Sequence, residues 1–184
     1  MHLGRLITDL LDISRIESGQ GFTLHTSRED IRAIIQERLA GHQLGTLGHE
    51  LILEGPAEPC VLFVDRDKLL QVLDNILNNA IKYSPQGGTI RVGLECRDDH
   101  VALRVQDQGI GMTREQVDRI FNKFFRADPS NTAISGVGLG MPIAKHIVEA
   151  HGGTITVDSE PGHGTTVTVV LPRGEAEPAP TTMD

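Results

Sequence analysis

The chain has 184 residues, of which 39% are hydrophobic, and it carries a formal net charge of -8 at pH 7. This length suits one domain with an ordinary core, whereas the acidic charge argues against a general nucleic-acid binder, which needs basic surface to displace counterions. No apolar run approaches the length of a membrane span, and the N-terminus lacks a signal-peptide pattern. We therefore expect no membrane contact by this chain and a cytoplasmic location, although a parent protein could still be membrane-anchored.

The chain contains two cysteines, Cys60 and Cys96. One pair is too few for the disulfide framework of a small secreted domain. We therefore expect two buried free thiols in a reducing compartment.

The first predicted element is an amphipathic helix that ends near Ser18 and Gly19. About two heptads of helix are not stable alone, so this helix needs a partner, either a second helix outside the chain or the chain's own domain. Its apolar residues recur at spacings of three and four, which places them on one side: Leu3, Leu6, Ile7, Leu10, Leu11, Ile13 and Ile16.

The body of the chain mixes short strand patterns with helical patterns. A strand is predicted at residues 22–26, after which Ser27 is predicted to cap a helix that reaches Leu39. The later predictions are strands at 49–53 and 61–64, the strongest helix at 67–83, a hairpin of 90–96 and 101–105, a capping box from Thr113 to Gln116, a helix at 142–150, and strands at 155–157 and 167–171. This order predicts an α+β fold, a two-layer α/β sandwich with a mixed β-sheet covered by helices on one face.

Three polar residues of the strongest helix, Asn75, Asn79 and Lys82, are spaced four and three apart and therefore share one side. Asparagine is a mediocre helix former, so a merely solvated face would be better served by Glu, Lys or Arg. An amide oxygen suits a hard cation such as Mg²⁺, a lysine suits phosphate, and Tyr83 can lie against a base. On the helix alone, a solvated face and a ligand site remain equally open.

Asp107 ends an apolar row of a predicted strand and should point inward with it. A buried carboxylate needs a donor, which is either a basic residue from elsewhere or the exocyclic amine of adenine. Gly109 and Gly111 follow, and glycines allow the backbone to approach a flat ring closely.

A third motif alternates glycine with other residues at Gly136, Gly138 and Gly140, just before a helix whose Pro142 fits the first turn. Free amides at a helix N-terminus suit phosphate. A Rossmann fingerprint is excluded because these glycines do not follow the first strand of a βαβ unit, and a P-loop is excluded because no Gly-Lys-Ser/Thr follows.

In this order and spacing, the motifs resemble the ATP-binding catalytic domain of sensor histidine kinases, in the superfamily that includes gyrase, MutL and the ninety-kilodalton heat-shock chaperone. The resemblance covers about residues 22–172 and implies a Bergerat-type ATP-binding fold; the boxes lie at 75–83, 107–111, 120–126, 136–140 and 162–165. Residues 6–18 are similar to the end of the second helix of the dimerisation and phosphoacceptor domain. The implied domains are therefore 1–19 for that helix, 20–172 for the catalytic domain, and 173–184 for a disordered tail.

The resemblance implies roles for individual residues. Asp107 would hold the adenine amine, Asn79 would bind Mg²⁺, and Asn75 and Lys82 would act in catalysis as contacts to phosphate or metal. The remaining implied ATP contacts are Tyr83, Gly109, Gly111, Gly136, Gly138, Leu139, Gly140 and Thr165. Residues 126–135 would form a mobile lid anchored by Phe121, Phe124 and Phe125, with Arg126 as a candidate phosphate contact.

The implied reaction is transfer of the γ-phosphoryl of ATP to a histidine nitrogen, with a response regulator as a later partner. The acceptor of the family lies in a helix that precedes the one seen here, and His49 lacks the family's following proline and falls in a predicted strand. We therefore expect this chain to bind ATP, to act on the dimerisation domain of its own full-length protein, and to lack the usual acceptor. A monomer or weak dimer is expected, because most of the dimerising bundle is absent.

Two other functions stay open at this stage. One is an ATP-driven conformational clamp, but Asn75 lies one turn before Asn79, and an amide cannot act as a general base for hydrolysis. The neighbouring Asp74 points about 100° away on the helix. The other function is a nucleotide-sensing scaffold, which intact pocket residues weaken without excluding.

Overall fold

The computed structural model describes residues 2–19, 21–43, 48–126 and 137–173, with the backbone alone for residues 2–6. The helices are α1 (His2–Glu17), α2 (Ile31–Gln43), α3 (Arg66–Lys82), α4 (Arg114–Arg119) and α5 (Gly140–Ala150). The strands are β1 (Ser27–Asp30), β2 (His49–Glu54), β3 (Val61–Val64), β4 (Gly88–Cys96), β5 (His100–Gln106), β6 (Thr154–Ser159) and β7 (Thr165–Pro172). Gly136, the predicted lid beyond Arg126 and the predicted tail beyond Arg173 lie outside the described residues.

A mixed five-stranded sheet carries the core. Its strand order is β2-β4-β5-β7-β6, in which β2 and β4 are parallel and the other neighbours are antiparallel. Helices α3 and α5 pack against each other and cover one face of the sheet. Inward residues of β4 and β5 alternate with exposed ones, as a half-buried sheet requires: Ile90, Val92, Leu94, Val101, Leu103 and Val105 are buried. The predicted α+β sandwich is thus confirmed.

The strand predicted at residues 22–26 is wrong, because these residues belong to no strand. The strand lies at β1 instead, where it pairs antiparallel with β3 and includes Ser27, which therefore does not cap α2. The carboxylate of Asp30 serves the start of α2, where Oδ1 accepts from the backbone N–H of Arg32 (3.0 Å) and of Cys60 (3.0 Å). A polar segment became a strand because a distant partner pairs with it, which no local pattern shows.

Asp65 begins α3 and connects it to other parts of the fold. Its side chain accepts from Lys68 N (3.1 Å), as an N-cap does, and from His25 N (2.9 Å). Burial alone would raise the pKa of this carboxyl, but these two donors stabilise its charge and leave the pKa below its usual value. The predicted core face of α3 is confirmed, because the following residues are buried: Leu69, Leu73, Ile76, Leu77 and Ala80.

Helix α1 contacts its own domain with one side only. The buried Asp12 accepts from Gln71 Nε2 (2.7 Å) and lies 3.6 Å from Lys68 Nζ. Glu17 pairs with Lys123 Nζ at 2.8 Å. Three apolar residues of the predicted partner-facing side are exposed: Ile7, Leu10 and Leu11. The side chains of Leu3 and Leu6 lie outside the described part of the chain, within which no helix is long and apolar enough to cross a bilayer.

The expectation of two free thiols is wrong, because Cys60 and Cys96 form a disulfide with a Cα–Cα distance of 6.1 Å. Cys60 is fully buried immediately before β3, and Cys96 is the last residue of β4. The bond therefore joins the small β1-β3 sheet to the five-stranded sheet. The two residues are 36 positions apart in sequence, so only the folded chain brings them together.

Reduction of this disulfide is expected to lower the melting temperature by about 10 °C. Closing a loop across a sequence separation of 36 constrains the unfolded chain by about 4 kcal/mol, and a domain of this size shifts by roughly 2–4 °C per kcal/mol. Scanning calorimetry with and without a thiol reductant measures the shift. The variant Cys96→Ser should melt like the reduced protein and should not respond to reductant. Equal melting temperatures for the oxidised and reduced chain would contradict a stabilising bond.

Candidate functional site

A cleft lies between α3, the loop after β5 and the β6-β7 hairpin, and contains about 570 Å³ of space that is partly open to solvent. Most of its lining is apolar: Ile76, Ala80, Val105, Ile110, Met112, Ile120, Met141, Val157 and Val167. Four polar side chains also line it, those of Asn79, Tyr83, Asp107 and Thr165. A slot with apolar walls and a few polar groups is typical of a small-molecule site.

Asp107 is the buried polar group of this cleft, with 7% of its surface exposed. Its Oδ1 accepts from the backbone N–H of Gly109 (2.8 Å) and of Thr165 (3.1 Å). Burial raises the pKa of this carboxyl, and the two backbone donors offset only part of that effect. The donors are therefore backbone amides and not the basic residue that was one alternative. Within the described ranges, no hydrogen bond reaches the second oxygen, Oδ2.

The glycines after β5 allow close packing of one backbone on another. A Cβ on Gly109 would collide with the carbonyl oxygen of Tyr83, which accepts from Ile110 N at 3.0 Å. Gly111 has a φ of +65°, and a Cβ there would collide with the carbonyl oxygen of Glu160. These contacts bring the end of α3 and the hairpin loop against the residues that follow Asp107. Gly111 lines the cleft, whereas Gly109 contributes by donating its backbone N–H to the Asp107 carboxylate.

The three polar residues that share one side of α3, Asn75, Asn79 and Lys82, have different surroundings in the folded chain. Asn79 lines the cleft, but Asn75 is only 2% exposed and its Oδ1 would lie 3.2 Å from a Cβ added at Gly140. Asn75 therefore faces the start of α5. Lys82 lies outside the cleft wall, with Nζ 4.8 Å from the centre of the Tyr83 ring. Burial, and then the charge of Arg126, lower the pKa of Lys82, so two cations lie near each other at this end.

The start of α5 is held by the segment that precedes the predicted lid. Gly138 has a φ of +77° and its carbonyl accepts from Phe124 N at 3.1 Å, while Leu139 is buried. Phe124 itself has a φ of +61° and is 59% exposed. The rings of Phe121 and Phe125 lie beside cations and not in the cleft wall: Lys145 and Arg119, respectively. Their role as lid anchors stays a prediction, since residues 127–136 are outside the described ranges.

The sequence analysis missed the apolar wall of the cleft and one polar residue beside it. Val157 and Val167 face each other across β6 and β7, so strand alternation could have identified both. Ser159, at the end of β6, accepts from Met112 N at 2.9 Å and lies 3.0 Å from the hydroxyl of Thr165. No motif in the sequence marks this serine.

The prediction that His49 lies in a strand is confirmed, and its ring contacts the Ser84 carbonyl at 2.9 Å.

Residues 64–175 match the family described as "Histidine kinase-, DNA gyrase B-, and HSP90-like ATPase". Sensor histidine kinase WalK of Bacillus subtilis is 36% identical over 177 residues, which are 94% of this chain and 29% of WalK. The Mycobacterium tuberculosis sensor-like histidine kinase SenX3 is 34% identical over 173 residues, or 92% of this chain and 42% of SenX3. The chain thus spans less than half the length of these curated relatives.

Among solved structures, a mycobacterial sensor histidine kinase, MprB, has a TM-score of 0.70 at 30% identity and covers 80% of this chain and 97% of its own. The fold therefore agrees with the family match, which includes more than half of the chain. The chain belongs to the family of histidine kinase-, DNA gyrase B- and HSP90-like ATPases, whose nucleotide is ATP.

Proposed function

We propose that this chain is the ATP-binding catalytic domain of a two-component sensor histidine kinase. It would transfer the γ-phosphoryl of Mg-ATP to a histidine of the dimerisation domain in the full-length protein, with a response regulator as the next partner. The observation that carries this proposal is Asp107, whose Oδ1 is fixed by two backbone amides while Oδ2 accepts nothing from the described residues. The 36% identity to sensor histidine kinase WalK supports the choice within the family.

The cleft suits adenine. Apolar side chains such as Ile76 and Val105 provide walls for a flat ring, and Asp107 at the buried end can accept from an exocyclic amine. A guanine carbonyl at the same place would face a carboxylate, and two acceptors repel each other. Tyr83 and Thr165 add polar groups to the lining of the cleft.

The C-terminal end of α3, beside the cleft, suits phosphate and Mg²⁺. Lys82 and Arg126 lie close enough for the charge of Arg126 to lower the pKa of Lys82, and an anion between them would relieve that repulsion. Within the described ranges, no group of three or more His, Cys, Asp or Glu could hold a metal. Mg²⁺ would therefore be held by the amide oxygen of Asn79 together with phosphate oxygens, which is how this ion commonly binds in nucleotide enzymes. When bound, it would neutralise phosphate charge.

Phosphoryl transfer by this chain would depend on positioning and on charge. Asn75, which lies on α3 and faces the start of α5, would help to place the backbone amides of Gly138, Leu139 and Gly140 towards the phosphates. Lys82 would stabilise charge on the γ-phosphoryl. Helix α1 is proposed as the end of the second helix of the dimerisation domain.

Transfer is favoured over rapid hydrolysis by the position of Asp74. Its Oδ1 lies 3.0 Å from His42 Nε2 and 3.3 Å from Arg38 Nε, on the side of α3 that faces α2. Of the described residues that line the cleft, Asp107 is the sole carboxylate, and it is at the adenine end. A general base for water is therefore missing from the wall of the described cleft.

Asp107→Asn is expected to weaken ATP binding by about 10- to 150-fold, because a hydrogen bond to a charged group is worth about 1.5–3 kcal/mol. Calorimetric titration of Mg-ATP into the full chain measures the change. Asp98→Asn, which alters an exposed carboxylate in the β4-β5 turn, is the matched control and should bind like the wild type. Equal affinity of Asp107→Asn and wild type would contradict the adenine contact.

Removal of Mg²⁺ with a chelator is expected to lower ATP affinity by about 10-fold in the wild type, since a lost charge-assisted contact is worth about 1.5 kcal/mol or more. In Asn79→Ala, ATP should bind with nearly the same affinity whether Mg²⁺ is present or not. The control is Asn78→Ala, which should keep the Mg²⁺ dependence of the wild type. The side chain of Asn78 donates within α3, to the Asp74 carbonyl at 2.6 Å. An unchanged Mg²⁺ dependence in Asn79→Ala would count against this metal contact.

Incubation with labelled ATP and the separately prepared dimerisation domain is expected to give acid-labile, alkali-stable phosphohistidine on that domain. Lys82→Ala should slow the transfer, and the chain alone should release phosphate only at background rate. Sustained phosphate release without an acceptor would favour the ATPase clamp. Tight ATP binding with neither transfer nor release would favour the nucleotide-sensing scaffold.

A further inference from the structure

Ser159 lies where the β6-β7 hairpin meets the loop after β5. It ends β6 and stands opposite Thr165 in the strand register. Its Oγ donates to the Gly164 carbonyl (2.8 Å), accepts from Met112 N (2.9 Å) and lies 3.0 Å from Thr165 Oγ1. One hydroxyl thus contacts three groups, and two of these, in Met112 and Thr165, belong to residues that line the cleft.

The three contacts fix the direction of the hydrogen bond between the two hydroxyls. A serine hydroxyl has one hydrogen and two lone pairs. The Gly164 carbonyl can only accept, so it takes the Ser159 hydrogen, and Met112 N can only donate. The remaining lone pair of Ser159 must therefore accept from Thr165, whose hydroxyl hydrogen points away from the cleft.

The adenine end of the cleft consequently presents acceptors. Thr165 keeps only lone pairs for a ligand, and Asp107 Oδ2 is an acceptor when ionised. The two groups are neighbours, because Thr165 N donates to Asp107 Oδ1 at 3.1 Å. A base substituent that reaches the carboxylate also meets the threonine hydroxyl. An amine can therefore donate to both groups, whereas a carbonyl oxygen would be repelled by both.

We propose that Ser159 is a positioning residue for base specificity, which fixes the Thr165 hydroxyl as an acceptor and so sharpens selection of a 6-amino over a 6-keto purine. This inference rests on the proposed function, since it assumes that the cleft holds the base of ATP. Ser159 itself lies behind Thr165 and Met112 and acts through them.

The test compares the Kd values of ATP and inosine triphosphate, whose base has a carbonyl in place of the amine and a hydrogen on N1, for the full chain and its variants. In Ser159→Ala the Thr165 hydroxyl can turn and donate to the carbonyl. The preference for ATP should then fall by about 2- to 10-fold, which is the range of one neutral hydrogen bond. A purely structural role would weaken both nucleotides by the same factor and leave their ratio unchanged.

Three matched variants separate these outcomes. Ser159→Thr retains a hydroxyl and should keep the wild-type ratio, as should Thr156→Ala, which changes an exposed residue of the same strand. In a Thr165→Val background, Ser159→Ala should have no further effect on the ratio, because the hydroxyl through which it acts is gone.

An unchanged ratio in Ser159→Ala, or a change that persists in the Thr165→Val background, would overturn the inference while leaving the proposed function intact. If Ser159→Ala does not melt cooperatively, Thr165→Val alone should still lower the preference for ATP, and an unchanged ratio there would equally overturn it. Absence of saturable ATP binding by the wild type would refute the proposed function, and this inference with it.

Discussion

The site depends on a buried carboxylate that is held by two backbone amides. Taking a charge out of water is costly unless donors replace the lost water, and Gly109 and Thr165 provide two N–H groups for Oδ1 of Asp107. They do not fully compensate, because burial still raises the pKa of this carboxyl above its usual value. An additional donor at Oδ2 would stabilise the ionised form. The amine of a ligand is the donor that we propose for this oxygen.

The geometry around Asp107 requires three chain segments to touch backbone to backbone. Asp107 N donates to the Thr165 carbonyl at 2.9 Å, and Gly162 N donates to the Ile110 carbonyl at 2.8 Å. At Gly164, with a φ of +79°, a Cβ would collide with the Asp107 carbonyl oxygen. A side chain at this position would push the hairpin away and remove Thr165 N from the carboxylate. The glycines near the cleft are therefore needed for close packing of the protein's own backbone, and they affect a ligand only because that packing positions Asp107 and Thr165.

Local charge at the proposed phosphate contacts is opposite in sign to the charge of the whole chain. The net charge is -8, yet Lys82 is close enough to Arg126 for its pKa to be lowered, first by burial and second by that neighbour. Holding two cations together costs free energy in the empty protein, and an anion can recover it. The proposed adenine contact is thus an acceptor, Asp107, whereas the proposed phosphate contacts are cations, and both lie near the C-terminal end of α3.

Patterns among residues close together in the chain were enough to predict the fold class and most of the helices and strands. The periodicity of α3, the capping box of Thr113 and Gln116, and the β4-β5 hairpin are confirmed because each depends on residues close together in the chain. The motif order alone was also enough to indicate the family. The site roles of individual residues stay predictions, because they concern a ligand.

Tertiary structure decided what depends on distant partners. A polar segment became β1 because β3 pairs with it, and Cys60 met Cys96 across 36 positions. Asn75 and Asn79 share one stripe in the sequence, but α5 covers the first and the cleft exposes the second. The contact of Ser159 with Thr165 likewise exists only in the folded hairpin. Helical spacing gives the direction of a side chain relative to its own helix, whereas the neighbour it meets is set by packing of elements far apart in sequence.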